Sequence, residues 1–264
     1  MIYAITVLGI LPVNRGTLKN AGLSFIITLE FKEMKHALVL FSGGLDSTTA
    51  LYWAIDRYER VHALTFDYGQ RHRIEVQFSQ RIAKNLNVPL KILQIDLQQI
   101  GGSSLTDPAT PLPPLDRSVA DRDGPPSTYV PFRNGIFLSI ATAWAEVHGH
   151  TEIVCGFHVL DSPDYPDTRR EFVEAMEEAI NLGSKASFSK TRIIIQVPFL
   201  GMNKAAIIKR GLALGADYSY SISCYSGAEI PCMECASCRM RQKAWEEVGT
   251  ADPFILRIKK EGKL

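Results

Sequence analysis

Apolar runs and amphipathic stretches alternate along most of this chain. Continuous apolar runs, of the kind that fill a buried parallel sheet, predict strands at His36–Phe41, Val61–Phe66, Leu90–Ile95, Glu152–Cys155 and Arg192–Val197. Apolar residues at helical spacing predict helices at Ser47–Arg57, Arg71–Leu86, Asn134–Val147, Arg169–Leu182 and Asn203–Leu214. Asn203 is a good capping residue for the last helix, and Gly215 is a good stop. Strands that alternate with helices are typical of an α/β fold with a doubly wound parallel sheet.

Residues 1–33 stand apart from this pattern. They open with the apolar run MIYAITVLGI, which is far shorter than the roughly 20 residues needed to cross a bilayer. No basic residue precedes the run, so we do not expect a secretory signal. Leu23–Phe31 predicts a short strand. Two interpretations stay open: this strand joins the fold, or residues 1–33 are an upstream extension and Met34 is the natural start.

A second irregular segment, Gly101–Thr128, lies between the third and fourth predicted strands. It contains six of the 14 prolines of the chain. Proline lacks a backbone N–H and interrupts both helices and strands, so we expect a loop without regular structure. Because long loops inside compact domains are usually functional, this loop is a candidate lid over a binding site.

Composition and charge narrow the class of protein. The 264 residues are 46% hydrophobic, and 29 Lys+Arg against 28 Asp+Glu give a net charge of +1. These values exclude a disordered chain, a collagen-like fibre and a coiled coil. A charge near zero provides no general attraction to nucleic acid or to an anionic membrane. We therefore expect neither a nucleic acid nor a membrane as partner.

The segment Ser42-Gly43-Gly44-Leu45-Asp46-Ser47 lies between a predicted buried strand and a predicted helix. Two glycines allow close backbone approach, and free N–H groups at the helix N-terminus form an anion site. The segment lacks the lysine of a Walker A loop and the spacing of a dinucleotide fingerprint. An aspartate beside phosphates needs a cation, so we expect Asp46 to hold Mg²⁺. The plainer interpretation is a strand-to-helix turn in which Asp46 or Ser47 caps the helix.

Four of the five cysteines crowd near the C-terminus, and the fifth, Cys155, stands alone in a predicted strand. The cluster has the spacing C-x7-C-x2-C-x2-C, formed by Cys224, Cys232, Cys235 and Cys238. Four thiolates complete a structural zinc site, and an iron–sulfur cluster uses the same ligands, so spacing leaves both open. Clustered cysteines without an export signal indicate a reducing, cytoplasmic compartment. We expect Cys155 to be a buried core residue.

Three polar segments follow the predicted strands or open helices: FDYGQRH (Phe66–His72), YVPFRN (Tyr129–Asn134) and DSPDYPDTRREF (Asp161–Phe172). The carboxyl ends of parallel strands face the ligand crevice in open α/β sheets. These segments are therefore predicted to lie near a nucleotide or substrate. Taken singly, each could equally be a solvated loop.

These motifs together resemble a known family. SGGLDS resembles the PP-loop of ATP pyrophosphatases, and the ordered set SGGLDSTT, FDYGQRH, VPFRN, DYPDTR, SCYSG and CMECASC is similar to the 7-cyano-7-deazaguanine synthase family. The resemblance spans residues 34–247. It implies an ATP-binding α/β domain over 34–222 and a four-cysteine zinc module over 223–264. It also implies that the ATP loop consists of Phe41, Ser42, Gly43, Gly44, Leu45, Asp46, Ser47, Thr48, Thr49, Ala50 and Leu51.

The resemblance further implies a reaction. The family converts 7-carboxy-7-deazaguanine, ammonia and ATP into a nitrile through an adenylate and an amide, with Zn and Mg bound, as a homodimer. The catalytic candidates are Ser42, Asp46, Ser47, Arg71 and Arg133. The substrate-binding candidates are Asp67, Tyr68, Gln70, Arg133, Asn134, Asp161, Tyr165, Asp167 and Arg169. The zinc ligands are Cys224, Cys232, Cys235 and Cys238.

The chain departs from the family pattern in one stretch. Pro163-Asp164 stands where the family has Ser-Gly, and Thr168 stands where it has Cys. The change could alter which substrate fits. Two alternatives therefore remain: another PP-loop enzyme that modifies tRNA or amidates a different carboxylate, and a zinc-stabilised binding module without activity.

Overall fold

A parallel five-stranded sheet forms the centre of the protein. The computed structural model describes residues 35–113, 124–159, 165–189 and 191–264. The strand order is β3-β2-β1-β4-β5 and every pairing is parallel. The strands are β1 His36–Leu40, β2 Arg60–Asp67, β3 Leu90–Gln94, β4 Glu152–Val154 and β5 Ile194–Gln196. The predicted parallel sheet is confirmed, with each strand within one or two residues of its predicted bounds.

Helices cover both faces of this sheet. They are α1 Leu45–Arg57, α2 Ile74–Asn85, α3 Arg133–His148, α4 Arg170–Gly183, α5 Lys204–Ala213, α6 Ala236–Val248 and α7 Pro253–Lys260. Alternate residues of β1 pack on opposite faces of the sheet. Val39 packs in a cluster with Leu51 and Ile207, whereas Leu38 packs in a second cluster with Leu138. This two-sided burial confirms the doubly wound arrangement and explains why the strands are apolar throughout.

Helix boundaries follow the local signals. The side chain of Asn203 accepts a hydrogen bond from the Ala206 N–H, and Gly215 adopts a φ of +74°, so the predicted cap and stop of α5 are confirmed. The helix predicted from Arg71 begins later, at Ile74. The Arg71 N–H donates to the carbonyl of Leu105, 3.0 Å away, which holds this residue in a turn instead of a helix.

Helices α6 and α7 have no counterpart in the predicted pattern. Cysteines and charged residues interrupt the apolar spacing of α6, yet Trp245 on this helix is almost fully buried. Trp245 packs edge-on to Tyr218, with 5.5 Å between ring centroids. Residues 34–264 form one compact unit, so the predicted domain boundary after residue 222 falls inside that unit.

Some predictions fall outside the described residues: the strand at Leu23–Phe31, the centre of the proline-rich loop (114–123) and Asp161. The described parts of that loop contain no helix or strand, as predicted. Its ends meet where the Ser104 N–H donates to the Ser127 carbonyl at 2.8 Å. Within the described ranges, no helix combines the length and apolar character that a membrane span requires.

Candidate active site

A cavity of about 330 Å³ opens where the strands of the sheet end. Leu40 and Phe41 at the end of β1, Phe66 in β2 and Gly156 after β4 all line it. This is the position expected for a ligand crevice in an open parallel sheet. Of the predicted site residues, those that line the cavity are Phe41, Ser42, Gly44, Leu45, Asp46, Ser47, Tyr68, Gln70, Arg133, Asn134 and Tyr165.

The loop between β1 and α1 is held in shape by its own serines. The Oγ atoms of Ser42 and Ser47 lie 3.1 Å apart, and the Gly44 N–H donates to Ser42 Oγ at 3.2 Å. Gly43 has a φ of +83°, and a Cβ there would lie 2.8 Å from the carbonyl oxygen of Glu75. No side chain caps the N-terminus of α1. The loop therefore presents backbone N–H groups and hydroxyls to an anion.

Asp46 lies between two nitrogen-bearing side chains that the sequence pattern did not single out. Its Oδ2 is 2.6 Å from Lys204 Nζ and 3.4 Å from His158 Nε2. Burial raises the pKa of Asp46, but Lys204 and His158 outweigh burial and hold it well below its ordinary value. Asp46 is therefore ionised. The loop itself contains no lysine or arginine, and Lys204, the first residue of α5, supplies the positive charge beside Asp46.

A second group of polar side chains lies on the β2–α2 side of the cavity. The Arg133 guanidinium donates to the Tyr68 hydroxyl at 3.0 Å. His72 Nε2 lies 3.7 Å from an oxygen of Glu75. Burial, and then the charge of Arg133, lower the pKa of His72 to about 4, whereas burial raises the pKa of Glu75 to about 8 against the opposing effect of Arg133. This wall thus carries a neutral imidazole and a carboxyl group that binds its proton tightly.

Two other predicted substrate residues meet near the start of α3. Asp167 accepts a hydrogen bond from the Asn134 backbone N–H, and the Asn134 side chain donates to the Asp167 carbonyl. Asp167 is almost fully buried, and its Oδ1 has no hydrogen-bond partner in the described part of the chain. Tyr165 lines the cavity and its hydroxyl lies 2.9 Å from Thr128 Oγ1.

Other predicted residues lie behind or beside the cavity. Arg71 donates to the carbonyls of residues 107, 108 and 110, so its guanidinium holds the proline-rich loop. Asp67 pairs with Arg73 at 2.6 Å, and Arg169 is exposed at the start of α4. Within α1, buried positions back the loop, and they are Thr48, Thr49, Ala50 and Leu51. Gln70 lines the cavity but its amide bonds to the backbone of Phe66 and Tyr68.

The four clustered cysteines converge on one point. Their sulfur atoms all lie within 4.8 Å of one another, and those of Cys224 and Cys232 are 3.5 Å apart. A tetrahedral zinc site with bonds of about 2.3 Å needs sulfurs about 3.8 Å apart, so the geometry fits a metal. Cys235 immediately precedes α6 and Cys238 lies in its first turn. Cys155 is buried away from this cluster, and burial raises the pKa of its thiol, as expected for a core residue.

The cysteine segment also reaches the cavity. Ser223 and Tyr225, on either side of Cys224, line it, as do Ser237 and Met240 from α6. The cysteine segment and the loop between β1 and α1 therefore both contribute residues to the lining of this cavity. Sequence reasoning missed Lys204, His158 and Glu75. The first two follow the carboxyl ends of β5 and β4, which is the one signal that could have marked them.

Comparison with known proteins agrees with this geometry. The family model described as queuosine biosynthesis protein QueC matches residues 36–249. The 7-cyano-7-deazaguanine synthase of Psychrobacter cryohalolentis is 43% identical, over 85% of this chain and 90% of its own length. That of Thermoplasma volcanium is 46% identical, over 83% and 90%. A solved 4-thiouridine synthetase–RNA complex with bound ATP aligns over 87% of this chain and 53% of its own, at 18% identity and a TM-score of 0.46, which carries no conclusion.

Proposed function

This chain belongs to the QueC family, and we propose that it makes 7-cyano-7-deazaguanine from 7-carboxy-7-deazaguanine, ammonia and ATP. The observation that carries the proposal is the 43% and 46% identity to enzymes named for that product over most of the chain. The cavity supports it, because a phosphate-type loop and a second polar wall face the same space.

The first round of the proposed reaction activates a carboxylate. Carboxylate oxygen is a poor leaving group, so the substrate attacks the α-phosphate of ATP, forms an acyl-adenylate and releases pyrophosphate. The N–H groups of Gly43 and Gly44 hold the pyrophosphate, with hydroxyls from Ser42, Ser47 and Thr48 in support. The uncapped start of α1 favours this role, and on binding the Gly44 N–H would exchange its 3.2 Å bond to Ser42 Oγ for a phosphate oxygen. Lys204 adds positive charge beside the loop.

The second round repeats this chemistry at the same carbon. Ammonia displaces AMP and leaves the primary amide. A second ATP adenylates the amide oxygen, and loss of AMP leaves the nitrile. Arg133 holds the substrate carboxylate or the α-phosphate, because its guanidinium is a fixed, bidentate donor that lines the cavity. Such intermediates hydrolyse readily, so the proline-rich loop held by Arg71 acts as a lid against water.

Substrate recognition is proposed for the side of the cavity near α3. The base resembles guanine, whose amidine-like edge donates two N–H groups to a carboxylate. The proposed acceptor is the orphaned Oδ1 of Asp167, which is buried and does not itself line the cavity, and Asp161 is the alternative. Asn134, Tyr165 and Tyr68 complete the walls of this part of the cavity. Asp67, Gln70 and Arg169 are proposed to act from the loops around it.

Two metals are part of the proposal. The four cysteine sulfurs suit zinc, which would fix the chain around residues 224–238 without a direct part in the chemistry. The buried Oδ1 of Asp46, which lacks a hydrogen-bond partner among the described residues, suits Mg²⁺ together with phosphate oxygens. Bound there, magnesium would neutralise charge on the polyphosphate. We further propose a cytoplasmic homodimer that uses small-molecule substrates and no nucleic acid.

The direct test is mass spectrometry of a reaction with the full-length protein, Mg-ATP, ammonium and 7-carboxy-7-deazaguanine. We expect the nitrile, AMP and pyrophosphate. AMP with amide alone would indicate a one-round amide synthetase. A folded, zinc-loaded sample that makes no substrate-dependent AMP would reject this substrate.

A further inference from the structure

Glu75 is a partly buried carboxyl group that the proposed reaction has not yet used. It lies in the first turn of α2 and lines the cavity, with 13% of its side chain exposed. Among the described residues, no donor reaches its carboxylate within hydrogen-bond distance, and its nearest ion-pair partner is His72 at 3.7 Å. A buried carboxylate without donors is costly, so this position favours a ligand that donates N–H bonds.

The groups around Glu75 decide what that ligand is. His72 comes from the preceding turn, Tyr68 from the end of β2, Arg133 from α3 and Cys224 from the cysteine segment. His72 is neutral near pH 7, because burial lowers its pKa to about 4, so it cannot neutralise a carboxylate. Arg133 already donates to the Tyr68 hydroxyl. The wall therefore lacks a dedicated cation for Glu75.

The chemistry of the other ligands excludes them from this position. Phosphate and the substrate carboxylate are anions, and a nearby carboxylate repels them. The described lining of the cavity contains only one other carboxyl group, Asp46, and Lys204 pairs with it. The amidine-like edge of the base also donates N–H bonds, but Asp167 or Asp161 is the acceptor proposed for it. The remaining reactant is the nitrogen donor, which exists in water near neutral pH as a small cation with N–H bonds in every direction.

We propose that Glu75 binds the ammonium ion and accepts its proton, which makes Glu75 the catalytic base of the amide-forming step. This inference rests on the proposed function. The positive charge of a bound ammonium ion favours the ionised form of Glu75, so the carboxyl proton leaves to solvent as ammonium binds. Ammonium then transfers one proton to the Glu75 carboxylate and becomes ammonia. Its lone pair forms the C–N bond, the C–O bond to the phosphate breaks, and that electron pair leaves on AMP. The surplus proton on nitrogen goes to AMP, and Glu75 returns its own proton to solvent.

Glu75→Gln tests the proposal, since it keeps the shape of the side chain but cannot take a proton. Exchange of labelled pyrophosphate into ATP, with 7-carboxy-7-deazaguanine and no ammonium, measures adenylation alone. Amide formation at varied ammonium concentration measures the proposed step. We expect E75Q to retain exchange and to lose about 100-fold in kcat/KM for ammonium, the usual size of a general-base contribution. Glu171→Gln, an exposed acid in the first turn of α4, is the matched control and should change neither.

The pH profile separates this role from a structural one. Free ammonia replaces ammonium as pH rises, so the gap between E75Q and the parent should narrow in alkaline solution. Equal amide formation by E75Q and the parent at all ammonium concentrations would overturn the proposal. So would a parallel loss of exchange. If E75Q does not fold, Glu75→Asp, which withdraws the carboxylate from the cavity, should show the same selective loss. Absence of exchange in the parent would instead reject the proposed function.

Discussion

Asp46 and Glu75 line the same cavity and carry the same functional group, yet their surroundings give them opposite properties. Asp46 contacts Lys204 at 2.6 Å and has a pKa below its ordinary value. Among the described residues, Glu75 has no ion-pair partner within 4 Å except the neutral His72, and burial raises its pKa to about 8 against the opposing charge of Arg133. The first carboxylate favours its charged form, and the second exchanges a proton near neutral pH. Paired carboxyl groups whose pKa values are driven apart are how active sites divide acid–base work.

The largest expected effect disturbs the Asp46 side and the Glu75 side of the cavity at once. Removing the metal proposed for the cysteine cluster should free the segment that supplies Ser223, Tyr225 and Ser237 to the cavity. A metal held 1,000-fold above its Kd contributes about 4 kcal/mol, which corresponds to about 8 °C or more in Tm for a domain of this size. We expect Tm, adenylation and amide formation to fall together on chelation. Retained activity in metal-free protein would show that the cluster and the cavity are independent.

The next effect disturbs only the Asp46 side of the cavity. Asp46→Asn removes the charge beside Lys204, and loss of a preorganised electrostatic group should lower the pyrophosphate exchange rate by about 100-fold. Asp56→Asn, an exposed acid near the end of the same helix, is the control. Adenylation that survives in D46N would leave Asp46 without a part in the nucleotide site.

A smaller effect acts where the loop between β1 and α1 contacts α2. Gly43→Ala places a methyl group 2.8 Å from the Glu75 carbonyl, at a φ of +83°. Strain of this kind should lower the free energy of unfolding by about 1–3 kcal/mol. Gly149→Ala is a matched control, because its φ is +71° but nothing lies within 4 Å. Denaturant unfolding measures both variants. If G43A and G149A lose the same free energy of unfolding, the loss comes from backbone conformation and not from contact with α2.

The last test examines the same contrast through pH. The folded chain keeps the Glu75 proton up to about pH 8, whereas the ordinary glutamate pKa is 4.5. Unfolding therefore releases this proton between those values, and the stability that Glu75 contributes at low pH is lost as pH rises through the folded pKa. The Tm of Glu75→Gln should gain on that of the parent from pH 4.5 to pH 8. A constant difference over this range would show that Glu75 titrates normally.

Local sequence patterns predicted much of this architecture. The apolar runs predicted the parallel sheet, Asn203 predicted the start of α5, and the cysteine spacing predicted the cluster of sulfurs. Each of these depends on neighbours within a few residues. The predicted start of α2 was wrong, because the Arg71 N–H donates to the Leu105 carbonyl, a contact that no local pattern contains.

The polar partners were harder to predict than the elements. Lys204 lies 158 residues from Asp46 along the chain, and Glu75 shares its helix with an ordinary amphipathic pattern. Apart from the position of Lys204 after β5, nothing local distinguishes either from a surface charge. Arg71 shows the converse: its position in a polar motif suggested chemistry, but its guanidinium binds loop carbonyls. The walls of the cavity thus depend on tertiary contacts that bring distant residues together.

The central claim is that one cavity activates the same carbon twice through the α-phosphate of ATP. The most direct test uses 7-carboxy-7-deazaguanine with both carboxylate oxygens labelled with oxygen-18. One oxygen should leave with AMP in each round, so mass spectrometry should find two AMP molecules for every nitrile, each carrying one label. Unlabelled AMP, or label in pyrophosphate, would contradict the account.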